Sequence, residues 1–219
     1  VFESVEQRGF FMKLFIVHGI LWLLALVSLT GCGGNIVDWA KGQVDQGCDV
    51  KQNLTQARCY VRADRIYDVF NLEGSFAVLW LSDPVLHTYA TLRAHMQGTT
   101  AEQERVHLAQ EHADDKRFIS FYVLSACDMA LGQKNSVWTL LLSVDGAWHQ
   151  PYEITEVELP REYALIFGKY HNHFKIPYLV RFKANNHTGT PIITPKTSCI
   201  ALHLRTFTKE CAFEWGIPR

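Results

Sequence analysis

Phe118-Ile119-Ser120-Phe121-Tyr122-Val123-Leu124 is the stretch on which the fold turns. Aromatic and branched residues crowd it, and that composition suits a strand. The same texture recurs downstream in Val137-Trp138-Thr139-Leu140-Leu141-Leu142-Ser143-Val144, which closes on Asp145-Gly146, a hairpin-turn dipeptide. Residues 152–159 alternate polar and apolar side chains, so one face of that strand is expected to be wet. Residues 176–184, 198–206 and 210–215 complete the expected set, the first two joined by a loop around Asn185-Asn186-His187-Thr188-Gly189. Pro160 opens a short helix to Phe167, and Gly168 stops it.

Upstream of Phe118 the periodicity is mostly helical. Phe76-Ala77-Val78-Leu79-Trp80-Leu81 is strand-like, but Ser82-Asp83-Pro84 then reads as a helix start, with Ser82 or Asp83 as cap and Pro84 in the first turn. Val85, Tyr89, Leu92 and Met96 keep helical spacing, and Gly98 ends the run. Thr100 with Gln103 resembles a capping box and opens a second helix over 101–115. Residues 64–70 fit strand or helix equally well. A helical stretch followed by five or six strands predicts an α+β domain with a mainly antiparallel, sandwich-like sheet. That count falls short of the roughly seven strands of an immunoglobulin-like fold.

The N-terminal segment has a different character. Lys13 precedes Leu14-Phe15-Ile16-Val17-His18-Gly19-Ile20-Leu21-Trp22-Leu23-Leu24-Ala25-Leu26-Val27-Ser28-Leu29, apolar apart from His18 and Ser28. As a helix it would reach about 24 Å, short of a hydrocarbon core of about 30 Å. A positive residue, a short apolar run and then small residues is the layout of an export signal.

Leu29-Thr30-Gly31-Cys32 resembles the lipobox of bacterial lipoproteins: an aliphatic residue, two small ones, then cysteine. The resemblance covers about twenty residues. It implies that the Cys32 thiol receives a diacylglycerol, that signal peptidase II recognises Leu29, Thr30 and Gly31, and that cleavage falls before Cys32. The implied location is the cell membrane or outer membrane, lipid-anchored and facing periplasm or exterior. In a Gram-negative host, Gly33 after the cysteine resembles outer-membrane-directed members. A two-chain anchor is durable, because each buried methylene contributes about 0.8 kcal/mol. The rival is an uncleaved apolar anchor beginning at Phe10.

The resulting organisation is a signal segment over 1–31, a lipid-anchored linker with a short helix over 32–47, and one α+β domain over 48–219. Asn35 caps that short helix, whose Ile36, Trp39, Ala40 and Val44 share a face. Residues 1–11 sit awkwardly before Met12-Lys13, a normal signal start, and read as a misassigned translation start.

Charge narrows the partners. The chain carries 21 Lys and Arg against 22 Asp and Glu, a net −1. Without residues 1–31 the totals are 19 and 20, since Arg8 and Lys13 leave together with Glu3 and Glu6. Nothing in that balance favours nucleic acid as a partner. The expected partners are the membrane, through Cys32, and envelope proteins.

Six cysteines are present. With Cys32 lipidated, an odd five remain, and an exported domain meets oxidising conditions. Cys48–Cys59 is the simplest disulfide, closing a short polar loop. Cys199–Cys211 is the weaker candidate, since it needs a hairpin centred near Arg205 whereas the turn reads as Thr206–Lys209. Cys127 is then the odd thiol. The alternative is five reduced thiols, some of them core residues. No pair has the CxxC spacing of zinc or thioredoxin-like sites.

His171 and His173 are the metal candidates: on a strand both rings would share a face. A third ligand is needed, and His149, His187 and His203 qualify by type only. The competing reading is a polar loop after Gly168. His107, Glu111 and Asp115 have four-apart spacing, but the charges around them read as a solvated helix face. Glu156 and Glu158 share a strand face, as solubility alone requires. Trp39, Trp80, Trp138, Trp148 and Trp215 suit a core more than a groove, whereas Trp148-His149-Gln150-Pro151-Tyr152 is expected to be partly exposed. Asn53-Leu54-Thr55 and Asn186-His187-Thr188 match the glycosylation triplet, which chance also produces. The leading expectation is a lipid-tethered envelope protein with a binding or structural role and no cofactor. The alternatives are a tethered metal-dependent hydrolase using His171 and His173, and a small-ligand carrier.

Overall fold

Nine strands in two antiparallel sheets dominate the described residues. The computed structural model describes residues 50–217, apart from 70, 99–101, 104, 107, 110–115 and 128–129. The signal segment, Cys32, the 36–45 helix and Cys48 therefore lie outside the described residues, as do His107, Glu111 and Asp115. α1 covers residues 50–58. β1 (Val61–Asp68) and β2 (Asn71–Trp80) follow as a hairpin, with a bulge between Ile66 and Tyr67. This pairing resolves residues 64–68 as strand: Ile66, opposite Gly74, turns its side chain into the core between the sheets.

α2 (Asp83–Gln97) matches the predicted start and stop. The Ser82 carbonyl accepts from the Val85 and Leu86 N–H groups at 2.9 Å each. At the other end Gly98 takes φ 62°, where a Cβ would be strained. Every described residue between 102 and 109 is helical. β3 (Phe118–Cys127), β4 (Thr139–Val144), β5 (Ala147–His149) and β6 (Glu153–Glu156) come next. α3 (Arg161–Phe167) precedes a single 3-10 turn, Gly168–Tyr170. β7 (Ile176–Lys183), β8 (Cys199–Arg205) and β9 (Glu210–Gly216) close the chain of elements. β6 is half as long as its alternation suggested: Val157 still bonds to Pro177, but the helix start at Pro160 ends the ladder.

The first sheet has the order β1-β2-β3-β7-β6 and the second β5-β4-β8-β9. Their inner faces share one core, in which Phe76, Val78, Phe121, Val123 and Val180 meet Leu140, Leu142, Ile200, Leu202 and Trp215. The far face of the first sheet is apolar too. There Ala77, Leu79, Tyr122 and Leu124 pack beneath Val85, Leu86, Tyr89 and Leu92 of α2 and Tyr163, Ile166 and Phe167 of α3. Tyr89 and Tyr163 stack with centroids 4.4 Å apart. Burial on both faces explains why β3 reads as a near-continuous apolar run rather than an alternating one. The architecture is α+β and mainly sheet, three layers deep: helices, five strands, four strands.

Cross-ties join the sheets at one edge. The Trp215 indole donates to the Tyr60 carbonyl at 2.7 Å, and Arg62 Nε donates to the Glu214 carbonyl at 3.0 Å. The Asp145-Gly146 turn forms as expected, with φ 46° and 88°. This is the primed geometry whose twist matches the flanking strands.

Candidate functional site

Among the described residues two surface hollows stand out, one where strands run out and one against the face of a hairpin. The first lies where β2, β3, β7 and β9 end together. Trp80, Ile119, Ala184, Pro191, Ile193 and Ile217 supply most of its apolar lining, with Asp83, Lys116 and Asn185 also at the wall, around about 460 Å³. The mouth is apolar because inward-facing strand positions continue past the last ladder bond. Trp80 and Ile217 are the outermost members of the inter-sheet core. Ser82 also lines it. The Ser82 hydroxyl is buried and, among the described residues, has no hydrogen-bond partner. Ser82 thus caps α2 through its backbone only, and its side chain is left with unused bonding capacity beside the mouth.

The second hollow, about 370 Å³, lies between the β1–β2 hairpin and the segment after α3. Arg65 and Ser75 sit opposite each other in the ladder, on the same face as Ala63 and Ala77. Lys169, Tyr170, Asn172 and Lys175 face them across the cleft. Burial lowers the Lys175 ammonium below its ordinary pKa, and the neighbouring Arg65 charge lowers it further. Lys169 lies over the Tyr170 ring, 5.2 Å from its centroid. Asn172 Oδ1 accepts from the Phe174 N–H, so its amide N–H groups remain to donate outward.

Of the two readings of the histidine pair, the structure shows the polar loop after Gly168 and not the strand. His171 and His173 lie in an exposed loop between the 3-10 turn and β7, and the strand begins only at Ile176. The Asn172 side chain turns the backbone there, so the two rings lack the fixed period-two geometry on which a shared face depended. Among the described residues no three His, Cys, Asp or Glu side chains form a metal-binding group. His187 is exposed in the loop after β7, while His203 Nδ1 lies 2.6 Å from Glu210 Oε1, with its ring 4.5 Å from that of Trp148. Sequence reasoning missed this contact, because Trp148 and His203 meet only through the β5-β4-β8 pairing. Burial holds His149 below its usual pKa. The expected exposure of the 148–152 segment is met, with Trp148 at 52% and Tyr152 at 58%.

The Cys199–Cys211 pairing is also corrected. β8 and β9 place Cys199 opposite Gly216 and Cys211 opposite Leu204, and both thiols are free. The physical reason is register: a turn at Thr206–Lys209 sets the cysteines five ladder positions apart. Cys59 is an exposed free thiol directed at the Thr55 carbonyl, while its predicted partner Cys48 lies outside the described residues. Among the glycosylation triplets, Asn186 Oδ1 accepts from the Thr188 N–H, the Thr188 hydroxyl and the Thr190 N–H, which accounts for that asparagine as a loop brace. Trp80, Trp138 and Trp215 are core residues, as expected.

The fold and its hollows define a two-sheet α+β protein with an apolar mouth at one end and a cationic cleft beside the β1–β2 hairpin. Compared with protein-family models, curated proteins and solved structures, the chain matches none of them. Among the described residues no helix is long and apolar enough to cross a membrane.

Proposed function

We propose that the chain is a lipid-anchored cell-envelope protein, cut before Cys32, whose domain has a binding role. The carrying observation is the Leu29-Thr30-Gly31-Cys32 motif directly behind a short apolar run that starts at Lys13. An acylated Cys32 would tether the domain by the short segment that precedes α1. The mass of the mature N-terminal peptide from native membranes, beside a Cys32→Ala control, tests this. A peptide beginning at Cys32 with added acyl mass, absent from the control, is the expected result. An intact, unmodified 14–32 segment overturns it.

One observation favours a small ligand as what is bound. The mouth at the end of the sandwich is lined mainly by apolar side chains and borders an unpartnered Ser82 hydroxyl. Ligand pockets commonly combine an apolar lining with a few polar groups, within about 300–1,000 Å³. Organic extraction of the full chain, compared with an Ala184→Trp variant that fills the mouth, tests the carrier reading. A small molecule that co-purifies with the wild type and is missing from the variant supports it. Equal content in both sinks it.

A further inference from the structure

The cationic cleft is separate from the apolar mouth and is not explained by the packing of the fold. Arg65, Lys169 and Lys175 all line it, and among the described residues none of the three has a carboxylate within ion-pair distance. Three other described cations do have carboxylate partners: Arg105 with Glu102, Arg181 with Glu153, and Lys209 with both Asp68 and Glu73; what sets the cleft apart is that its three cations converge on one hollow. Asp64 is the one acidic residue at the cleft. It alternates with Arg65 along β1, its Oδ1 is held by the Arg65 N–H, and its charge reaches Cys211 in the opposite sheet. Three unpaired cations gathered around one hollow repel one another, and an anion seated between them offsets that repulsion.

The neutral lining suits the same guest. Ser75 and the Asn172 amide bring N–H and O–H donors, and Tyr67 and Tyr170 add phenolic hydroxyls. Several donors converging with three positive charges match a tetrahedral oxyanion with up to two negative charges, as a phosphate group carries. Tyr67 and Phe174 stand exposed at this end of the first sheet, at 50% and 86%. They offer apolar contact to whatever bears the anion.

We infer that the cleft between the β1–β2 hairpin and residues 169–175 is a phosphate-group binding site, with Arg65 and Lys175 as its principal anion ligands and Lys169 and Asn172 completing it. The shared chemistry has two sources, a free phosphate ester and the headgroup of an anionic lipid.

The test is amine footprinting of the full chain in an uncharged detergent. The labelling rate of each lysine is read by mass spectrometry, with inorganic phosphate, with dihexanoyl phosphatidylglycerol, or with chloride at matched ionic strength. Phosphate or the short-chain lipid is expected to slow Lys175 labelling several-fold relative to chloride. Lys134, in the exposed 132–135 stretch, keeps its rate. Arg65→Ala is expected to remove the protection without lowering the thermal midpoint in chloride, since Arg65 is exposed and its loss relieves repulsion on Lys175. Stronger protection by the lipid assigns the anion to a headgroup, and stronger protection by phosphate assigns it to a free ester. Equal labelling in all three solutions overturns the site, as does full protection in Arg65→Ala. If Arg65→Ala fails to fold, Lys175→Met, which keeps the apolar stem, replaces it, with protection read at Lys169.

Discussion

Asp145 shows how much one side chain can settle. It occupies the first turn position after β4, at positive φ, and its Oδ1 accepts from the Ser198 N–H, the Ser198 hydroxyl and the Cys199 N–H. Those bonds, the Ser198 backbone one foremost, hold its carboxyl below the usual range. A depressed folded-state pKa contributes stability that is complete above the unfolded value and drains away as pH falls through the folded one. Urea midpoints measured from pH 6 down to pH 3 are therefore expected to fall less steeply for Asp145→Asn than for the wild type. Parallel curves would mean the bonds do not favour the charged form. Cysteines make a second prediction at this scale. Burial pushes the Cys211 thiol up to about 12, whereas Cys59 is exposed. With a thiol reagent at pH 8, Cys59 should react in the native state and Cys211 only on unfolding. Early labelling of Cys211 would mean that the β8–β9 hairpin opens locally.

At the scale of elements, two glycines at positive φ separate backbone strain from crowding. Gly98 ends α2 at φ 62°, and a Cβ there would meet nothing within 4 Å. Gly98→Ala should cost only the left-handed penalty, about 1 kcal/mol. Gly132 has φ 76°, and its Cβ would lie 2.8 Å from that of Ile154. Gly132→Ala adds that clash to the strain, so a loss of roughly 2–4 kcal/mol is expected. Chemical denaturation of the two variants checks the ranking; equal losses would mean that Ile154 yields without cost. The same scale explains which helices were legible. α2 and α3 carry punctuation at both ends: Ser82, Pro84 and Gly98 for one, Pro160 and Gly168 for the other. α1 carries none over residues 50–58, and its periodicity is interrupted by polar residues, so it went unread. β5 also escaped notice, since a three-residue strand is defined by its partner Leu142–Val144 rather than by a pattern of its own.

For the whole molecule, the decisive contact is between the sheets. Leu142 on β4 is fully buried against the first sheet's inner face, whereas Leu165 on α3 is 43% exposed. Leu142→Ala should lose about 2–5 kcal/mol of unfolding free energy, and Leu165→Ala is expected to stay within about 0.5 kcal/mol of the wild type. Comparable losses at both positions would mean the inter-sheet layer is not the main source of stability. Both candidate hollows also belong to this scale. The apolar mouth gathers residues from Tyr60 to Ile217, and the cationic cleft joins residues about a hundred positions apart.

The α+β class, the bounds of α2 and α3, the Asp145-Gly146 turn and most of the later strands were legible from local sequence. These depend on side-chain period and on local φ, both of which are encoded within a few residues. The motif at Cys32 is local in the same sense, and the anchor proposed from it needs no fold to be read. Tertiary structure alone decided that β1 and β2 join β3 in one sheet, that His171 and His173 sit in a loop, and that Cys199 and Cys211 stand apart. It alone placed Arg65 beside Lys175. Those outcomes depend on register and on which strands become neighbours, and such pairings are set by burying apolar faces across the whole chain rather than by any segment within it.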